Sequence, residues 1–162
     1  SFFLYYLHKS LRAANELEAF RYRIVEDKVI IFDQIDAAST IGRPNGTFGF
    51  SHMEYYEDFL EFEQYANQEV QKVRNGSGLN LTSPKENVIH YSAAPWIKFT
   101  ALSHARHFSH KDSCPKIAFG KMTTSGGRKE MPVSIHAHHA LMDGFHVGQY
   151  IERFQKLMNE EL

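Results

Sequence analysis

The stretch His138-His139-Ala140-Leu141-Met142-Asp143-Gly144 separates two different hydrophobic patterns near the C-terminus. Residues 131–138 before it alternate apolar and polar side chains, which predicts a strand. After it, apolar residues recur at helical spacing up to Met158, which predicts an amphipathic helix. His139 and Asp143 are therefore expected in a turn between a strand and a helix. Two rigid elements would hold their side chains in place, as a catalytic site requires.

A histidine and an acid in one turn suit proton transfer. The unperturbed pKa of histidine lies near neutral pH, so His139 could act as a general base. Asp143, in a turn closed by Gly144, could fix the local geometry by charge or by hydrogen bonding. The alternative is a structural histidine in a tight turn, and the residue types alone leave that open.

The composition is that of an ordinary globular chain. A length of 162 residues predicts a single domain over residues 1–162 with a real hydrophobic core. The aromatic fraction of 14% predicts a large core, a flat apolar pocket, or both. A formal net charge of −1 gives no reason to expect a nucleic-acid or membrane partner. The single cysteine, Cys114, excludes an internal disulfide, fits a reducing cytoplasm and is interpreted as a small buried side chain.

The N-terminal half predicts helices around a hairpin. The chain begins without Met inside an apparent helix, so we expect a further N-terminal segment. The predicted elements are a helix ending near Asn15, strands over 20–25 and 28–32 joined by a turn, a short strand around 38–41, a glycine-rich loop over 42–49, and a helix over 54–73 with a solvated acidic face.

The C-terminal half is rich in predicted strands. Their ranges are 87–92, 97–102, 116–123 and 130–138, with a hairpin turn at 125–127. Strands and helices mix without a regular βαβ alternation, so we predict an α+β fold.

Two motifs together resemble a known family. His138-His139-Ala140-Leu141-Met142-Asp143-Gly144 continues into Phe145-His146-Val147-Gly148, and Ser92-Ala93-Ala94-Pro95-Trp96 lies upstream. Both resemble motifs of the chloramphenicol acetyltransferase family of CoA-dependent acyltransferases, and the likeness extends over nearly the whole chain. The resemblance implies a two-layer α/β sandwich with a mixed sheet. It also implies a homotrimer with active sites between subunits.

The resemblance assigns three catalytic positions. His139 matches the general base, and Ser92 matches a serine that donates a hydrogen bond to the tetrahedral intermediate. A fixed donor to an oxyanion is worth roughly 2.7–4 kcal/mol in hydrolytic enzymes. Asp143 matches a structural acid, which in the family pairs with an arginine of the additional N-terminal segment. Without the resemblance, Ser92 is an ordinary serine at a strand end.

The resemblance also assigns binding positions. Phe48 matches a phenylalanine of the acceptor pocket, although a core position is almost equally compatible. Leu102 and His104 lie where well-known members carry Phe and Leu in the antibiotic pocket. Trp96 matches a residue near the CoA site, with a core position as the alternative, and Lys121 matches a lysine that contacts CoA. A lysine cation suits the phosphates of CoA, but a lone lysine is usually only a surface residue.

The function implied is acetyl transfer from acetyl-CoA, a co-substrate with no permanently bound cofactor, to a hydroxyl of chloramphenicol in the bacterial cytoplasm. Leu102, His104 and Ala118, the last where the family has Thr, favour a different small alcohol as an alternative. A non-catalytic trimer is a second alternative. A metal enzyme is the most distant, because only Asp143 accompanies the clustered histidines 136, 138 and 139. No GxSxG elbow supports a serine hydrolase.

Overall fold

A computed structural model describes residues 1–79, 85–103 and 112–160. Three α-helices and nine strands lie in these ranges. The helices are α1 (Phe2–Glu16), α2 (Phe59–Asn75) and α3 (Gly144–Asn159), with a 3₁₀ turn at Glu18–Arg21. The strands are β1 (Tyr22–Val25), β2 (Lys28–Ile31), β3 (Asp36–Gly42), β4 (Phe48–Met53), β5 (Val88–Ala93), β6 (Lys116–Phe119), β7 (Thr123–Ser125), β8 (Arg128–Glu130) and β9 (Val133–His136).

Five of the strands form one mixed sheet in the order β4-β3-β5-β6-β9. Strand β5 runs parallel to β3 and β6, whereas β4 and β9 at the two edges run antiparallel to their neighbours. Two separate hairpins, β1-β2 and β7-β8, accompany the sheet. A sheet of both parallel and antiparallel strands beside three helices confirms the predicted α+β class.

The helices pack on one face of the sheet, and the core lies between the two layers. Alternate strand residues, such as Tyr91 and Phe119, reach this core, because side chains alternate between the two faces of a strand. The ring of Phe119 contacts Tyr6 of α1, with the centroids 4.6 Å apart, and Phe154 of α3, at 6.0 Å. We call the opposite side of the sheet the outer face.

The N-terminal half contains the predicted helices and hairpin, with two of the predicted bounds shifted, and one strand that was not predicted. Residues 20–21, expected in the first strand, belong to the 3₁₀ turn, and the hairpin turn falls at Glu26 and Asp27, both with positive φ. The loop predicted over 42–49 overlaps the start of β4, which pattern reading missed. The helix predicted from residue 54 begins only at Phe59, because Asp58 caps it by accepting a hydrogen bond from the Glu61 amide.

Three predicted strands in the C-terminal half are wrong or too long. Residues 97–102 form no strand, and the Ile97 amide instead closes a turn by donating to the Ala94 carbonyl at 3.0 Å. The range 116–123 ends as β6 at Phe119, and 130–138 is divided between β8 and β9. The hairpin turn at 125–127 is confirmed, with Gly126 and Gly127 at positive φ.

In the part of the chain that the structure describes, none of the helices combines the length and apolar character needed to cross a membrane. Cys114 is buried, as predicted.

Candidate active site

His139 lies in a tight turn between β9 and α3. The turn closes where the amides of Leu141 and Met142 both donate to the His138 carbonyl. The His139 side chain is exposed, and its Nδ1 lies 3.3 Å from the Met142 carbonyl oxygen. A carbonyl oxygen can only accept, so we assign the ring proton to Nδ1. Nε2 of the neutral ring is then the nitrogen that is able to take a proton.

Asp143 holds this turn by capping α3. Its carboxylate accepts hydrogen bonds from the amides of Phe145 at 3.0 Å and His146 at 3.4 Å. The His146 ring contributes Nδ1, 2.8 Å from the same oxygen. The pKa of Asp143 is lowered, mainly by the hydrogen bond with the His146 side chain and secondly by those with the helix amides. An ionised carboxylate at a helix N-terminus is stabilising, so Asp143 fixes the position at which the turn enters the helix.

Ser92 lies near the end of β5, half-buried on the outer face. It pairs with Ala118, which in turn pairs with Ser134 of β9. Continuing the β3–β5 register by one residue places Thr40 beside Ser92, and Thr40 pairs with Phe50. Phe50, Thr40, Ser92, Ala118 and Ser134 thus form a line across the outer face, which we call the Ser92 row.

Ser92 and His139 are far apart within one chain. Two strand spacings of about 4.8 Å separate β5 from β9. Because β9 runs antiparallel, its last residue, His136, lies at the level of His90, two residues from the Ser92 row. At about 3.3 Å per residue, this adds roughly 7 Å along the strand direction. His139 follows in the turn after that strand end, so strand order and the direction of β9 both separate it from Ser92 within one copy.

Phe48 opens β4 on the outer face, with 47% of its surface exposed, so the alternative of a core position is wrong. Buried Arg43 holds this hairpin against the end of α2. Its guanidinium donates to the carbonyls of Phe48 at 2.6 Å, Val73 at 2.7 Å and Gly78 at 2.7 Å. Gly49 passes so close that a Cβ there would lie 2.6 Å from the Arg43 Nη2. Arg43 therefore fixes the backbone that carries Phe48.

Trp96 and Lys121 belong to neighbouring segments. Trp96 is 80% exposed in the turn after β5, so its core alternative is also wrong. The Lys121 amide donates to the Ile97 carbonyl at 2.8 Å, which ties the exposed lysine to the segment of the tryptophan. Both residues follow the strand ends where Ser92 lies.

Leu102 touches the Ser92 row through its backbone, since its carbonyl accepts a hydrogen bond from the Ser134 hydroxyl at 3.3 Å. Ala118 is buried within that row and offers no hydroxyl there. His104 lies outside the described residues.

Thr40 and Phe50 are not among the predicted site residues, because the loop predicted over 42–49 overlaps the start of β4. The alternation of Phe48, Phe50 and His52 with Gly49, Ser51 and Met53 was the available signal. The glycine and proline residues of the preceding loop favoured the prediction of a loop over this alternation.

A separate cluster joins His90, Asp112 and Cys114, whose possible ligand atoms all lie within 4.8 Å of one another. Asp112 is already paired with Lys116 and accepts a hydrogen bond from the Cys114 amide. Burial raises the pKa of the Cys114 thiol to about 11, which opposes the thiolate that a metal requires. The arrangement therefore favours a hydrogen-bonded cluster over a metal centre.

The model of the family described as chloramphenicol acetyltransferase matches residues 1–155. A chloramphenicol acetyltransferase from Escherichia coli is 31% identical over 166 residues, covering 98% of this chain and 73% of the relative. One from Klebsiella is 30% identical over 164 residues, with the same coverage.

Solved structures of acetyltransferases have the same fold as this chain. A chloramphenicol acetyltransferase superposes with a TM-score of 0.89 at 31% identity, covering 98% of this chain and 78% of the other. A probable dihydrolipoamide acetyltransferase from Listeria monocytogenes gives a TM-score of 0.71 at 11% identity, over 100% of this chain and 74% of the other, and that likeness shows the fold alone.

Proposed function

We propose that this chain, which belongs to the chloramphenicol acetyltransferase family, transfers an acetyl group from acetyl-CoA to a hydroxyl of chloramphenicol. The observation that carries the proposal is the His139 ring. It is exposed in a turn held by a capped helix, and its Nδ1 is directed to the Met142 carbonyl. This arrangement leaves Nε2 free of a proton for base catalysis.

The proposed reaction needs no acyl-enzyme. Neutral His139 takes the proton of the acceptor hydroxyl while the hydroxyl oxygen attacks the thioester carbonyl carbon. The Ser92 hydroxyl donates to the oxyanion that forms on the carbonyl oxygen. The intermediate then collapses, the carbon–sulfur bond breaks, and the His139 imidazolium returns its proton to the CoA sulfur. Binding both substrates together supplies further acceleration through proximity.

We infer that each site is shared between two copies of the chain, in a homotrimer as the family resemblance implies. The separation of Ser92 and His139 within one chain supports this, because one reacting carbon has to meet both side chains. Ser92 of one copy would then face His139 of its neighbour.

The acetyl-CoA side is proposed at Trp96 and Lys121, where an exposed ring and a cation follow the strand ends near Ser92. The reaction requires no permanently bound cofactor. We propose that it takes place in the cytoplasm. Phe48 and Leu102 are proposed for the acceptor side.

The test is release of CoA thiol from acetyl-CoA with and without chloramphenicol. His139→Ala should lower kcat/KM by roughly 10²–10⁴-fold, the usual contribution of a general base. The matched control is His138→Asn, which removes the neighbouring exposed imidazole, retains a side-chain acceptor for the Ala140 amide and should cost far less. Circular dichroism and molecular mass should be unchanged in both. Substantial turnover by His139→Ala would overturn the assignment of the base.

A second candidate is the same chemistry on a different small alcohol. Ala118 favours it, because a buried alanine in the Ser92 row provides no hydroxyl to bind water or acceptor. A panel of alcohols in the same assay separates the two: release with another alcohol but none with chloramphenicol would keep the mechanism and change the acceptor.

A further inference from the structure

We propose that His146 is a positioning residue for the general base His139. It acts through the peptide unit that joins Met142 to Asp143. The carbonyl of this unit lies against the His139 ring, and its amide lies against the His146 ring. This inference rests on the proposed function, because it takes His139 as the base.

One peptide unit contacts both imidazole rings. The His139 Nδ1 lies 3.3 Å from the Met142 carbonyl oxygen, and the His146 Nδ1 lies 3.2 Å from the Asp143 amide nitrogen. This oxygen and this nitrogen belong to a single planar group, so they cannot rotate separately. A contact that fixes the amide therefore also fixes the direction of the carbonyl that receives the His139 proton.

The His146 ring makes a second contact with Asp143. Its Nδ1 lies 2.8 Å from Oδ1 of the carboxylate, closer than either of the helix amides that donate to the same oxygen. A protonated Nδ1 donates to the carboxylate, and an unprotonated Nδ1 accepts from the Asp143 amide, so either proton state keeps the ring against Asp143. The arrangement is a capping box in which a histidine takes the place usual for Glu or Gln.

The entry into α3 depends on these hydrogen bonds more than on burial. The side chain of Asp143 is 56% exposed and that of His146 is 39% exposed. Gly144 lies between them, and it leaves the backbone freer than any other residue would. Met142 is buried, which anchors one side of the shared peptide unit. His146 supplies the anchor on the other side, from the first turn of α3.

The direction of the Met142 carbonyl decides which nitrogen of His139 is basic. While this carbonyl accepts from Nδ1, the ring proton stays there and Nε2 can take the proton of the acceptor. A peptide unit that turned would release the ring and let the proton move to Nε2. Misplacement of a reacting group by about 1 Å can cost roughly 100-fold in rate. Loss of the His146 ring should therefore affect the chemical step more than substrate binding.

The kinetic test compares His146→Ala, His146→Leu and His146→Gln in the CoA thiol-release assay. Alanine and leucine both remove the ring nitrogens, whereas glutamine is a usual residue at this position of a capping box. In His146→Ala and His146→Leu, kcat should fall roughly 10–100-fold, with KM for both substrates within about twofold of wild type. His146→Gln should recover most of the loss. Gln149→Ala is the matched control, since Gln149 is an exposed polar residue of the same helix.

Nitrogen-15 NMR of protein labelled at histidine observes the His139 ring without turnover. Its signals are assigned by their loss in His139→Gln. In wild type, Nδ1 of neutral His139 should carry the proton. In His146→Ala the two nitrogens should move towards equal protonation, and in His146→Gln they should remain as in wild type.

The outcomes separate this inference from the proposed function. An unchanged kcat and an unchanged His139 tautomer in His146→Ala would overturn the inference and leave the function in place. An equal loss of kcat in His146→Ala and His146→Gln, with the tautomer unchanged, would place His146 among the reacting groups and overturn a positioning role. Loss of oligomeric mass in both His146→Ala and His146→Leu would assign the ring to assembly and also overturn it. Absence of turnover by wild type with every alcohol, with the tautomer altered in His146→Ala, would overturn the function and support the positioning of His139 by His146.

Discussion

Ser92 and His139 lie towards opposite ends of the same sheet, although both are expected to act on one carbonyl carbon. Ser92 is near the end of β5, and His139 follows β9, which runs in the opposite direction two strands away. We propose that the site is assembled from two chains, with the serine from one and the histidine from the other.

Complementation between inactive variants tests this arrangement. When His139→Ala and Ser92→Ala chains are mixed under conditions that exchange subunits, a shared site can combine the intact Ser92 of the first with the intact His139 of the second. We therefore expect activity above the sum of the separate variants, measured as CoA thiol release. Each variant put through exchange alone is the control. Activity that stays at the summed level, in a sample whose mass proves exchange, would contradict the shared site.

Ser92→Ala should lower kcat and leave the KM for acceptor nearly unchanged. The hydroxyl is proposed to stabilise an oxyanion that exists only after attack, so its loss affects the transition state and not the bound substrate. Removal of one oxyanion donor costs roughly 10²–10³-fold in kcat elsewhere. The comparison variant is Ser134→Ala, in the same row but bonded to the Leu102 carbonyl, which should retain much more activity. A Ser92→Ala effect confined to KM would remove the oxyanion role.

Local patterns predicted the helices well because their apolar stripes are long. Leu4, Leu7 and Leu11 of α1 are all buried as expected, and the turn after β9 leads into α3 where Gly144 indicated. Strand β4 escaped prediction because it begins inside a glycine-rich loop. Glycine is required at position 49 because of a tertiary contact: a side chain there would collide with Arg43.

In the candidate site too, some features follow from the local sequence and others only from the tertiary structure. Resemblance selected Ser92, His139 and Asp143 one by one, and the turn and cap around His139 follow from its immediate neighbours. The distance between Ser92 and His139 depends on strand order and on the direction of β9, which no local pattern contains. Phe50 likewise acquires its place only through pairing with Thr40.

A buried hydroxyl network joins the two layers and predicts a specific loss of stability. The Ser10 hydroxyl of α1 lies 3.0 Å from the Tyr91 hydroxyl of β5 and 2.6 Å from the Tyr150 hydroxyl of α3. Ser10→Ala would leave both phenols without this partner, at a cost of about 1–3 kcal/mol for an unsatisfied buried group. Urea unfolding at fixed protein concentration measures it.

Ser39→Ala is the matched control for that experiment. Ser39 is also fully buried, but its hydroxyl has no hydrogen-bond partner among the described residues. Its removal should be neutral or slightly stabilising, because an unsatisfied hydroxyl is replaced by a methyl group. Equal losses in Ser10→Ala and Ser39→Ala would show that the tyrosine network contributes nothing beyond serine packing.

His8 should make the protein less stable in weak acid. Its ring is buried against Phe59 and Phe62, Nε2 lies 2.9 Å from the Tyr56 carbonyl oxygen, and Nδ1 has no partner among the described residues. Burial is the main cause that lowers the pKa of His8, with Lys9 and Arg12 adding smaller repulsions. Protonation would place a charge and an unpaired N–H in the core.

The direction of the pH effect follows from that lowered pKa. Below the unfolded pKa of about 6.5, the unfolded chain binds more protons than the folded one, so stability falls as the pH decreases through the folded pKa. We expect the melting temperature to be nearly constant above pH 7 and to fall as the pH decreases below about 6.5. His8→Gln should flatten that slope, because an amide can still donate to the Tyr56 carbonyl but does not titrate. Part of the slope should remain in this variant, because burial also lowers the pKa values of His52 and His90. His138→Gln, at an exposed position, is the control, and a slope identical in His8→Gln and wild type would exclude His8 as its source.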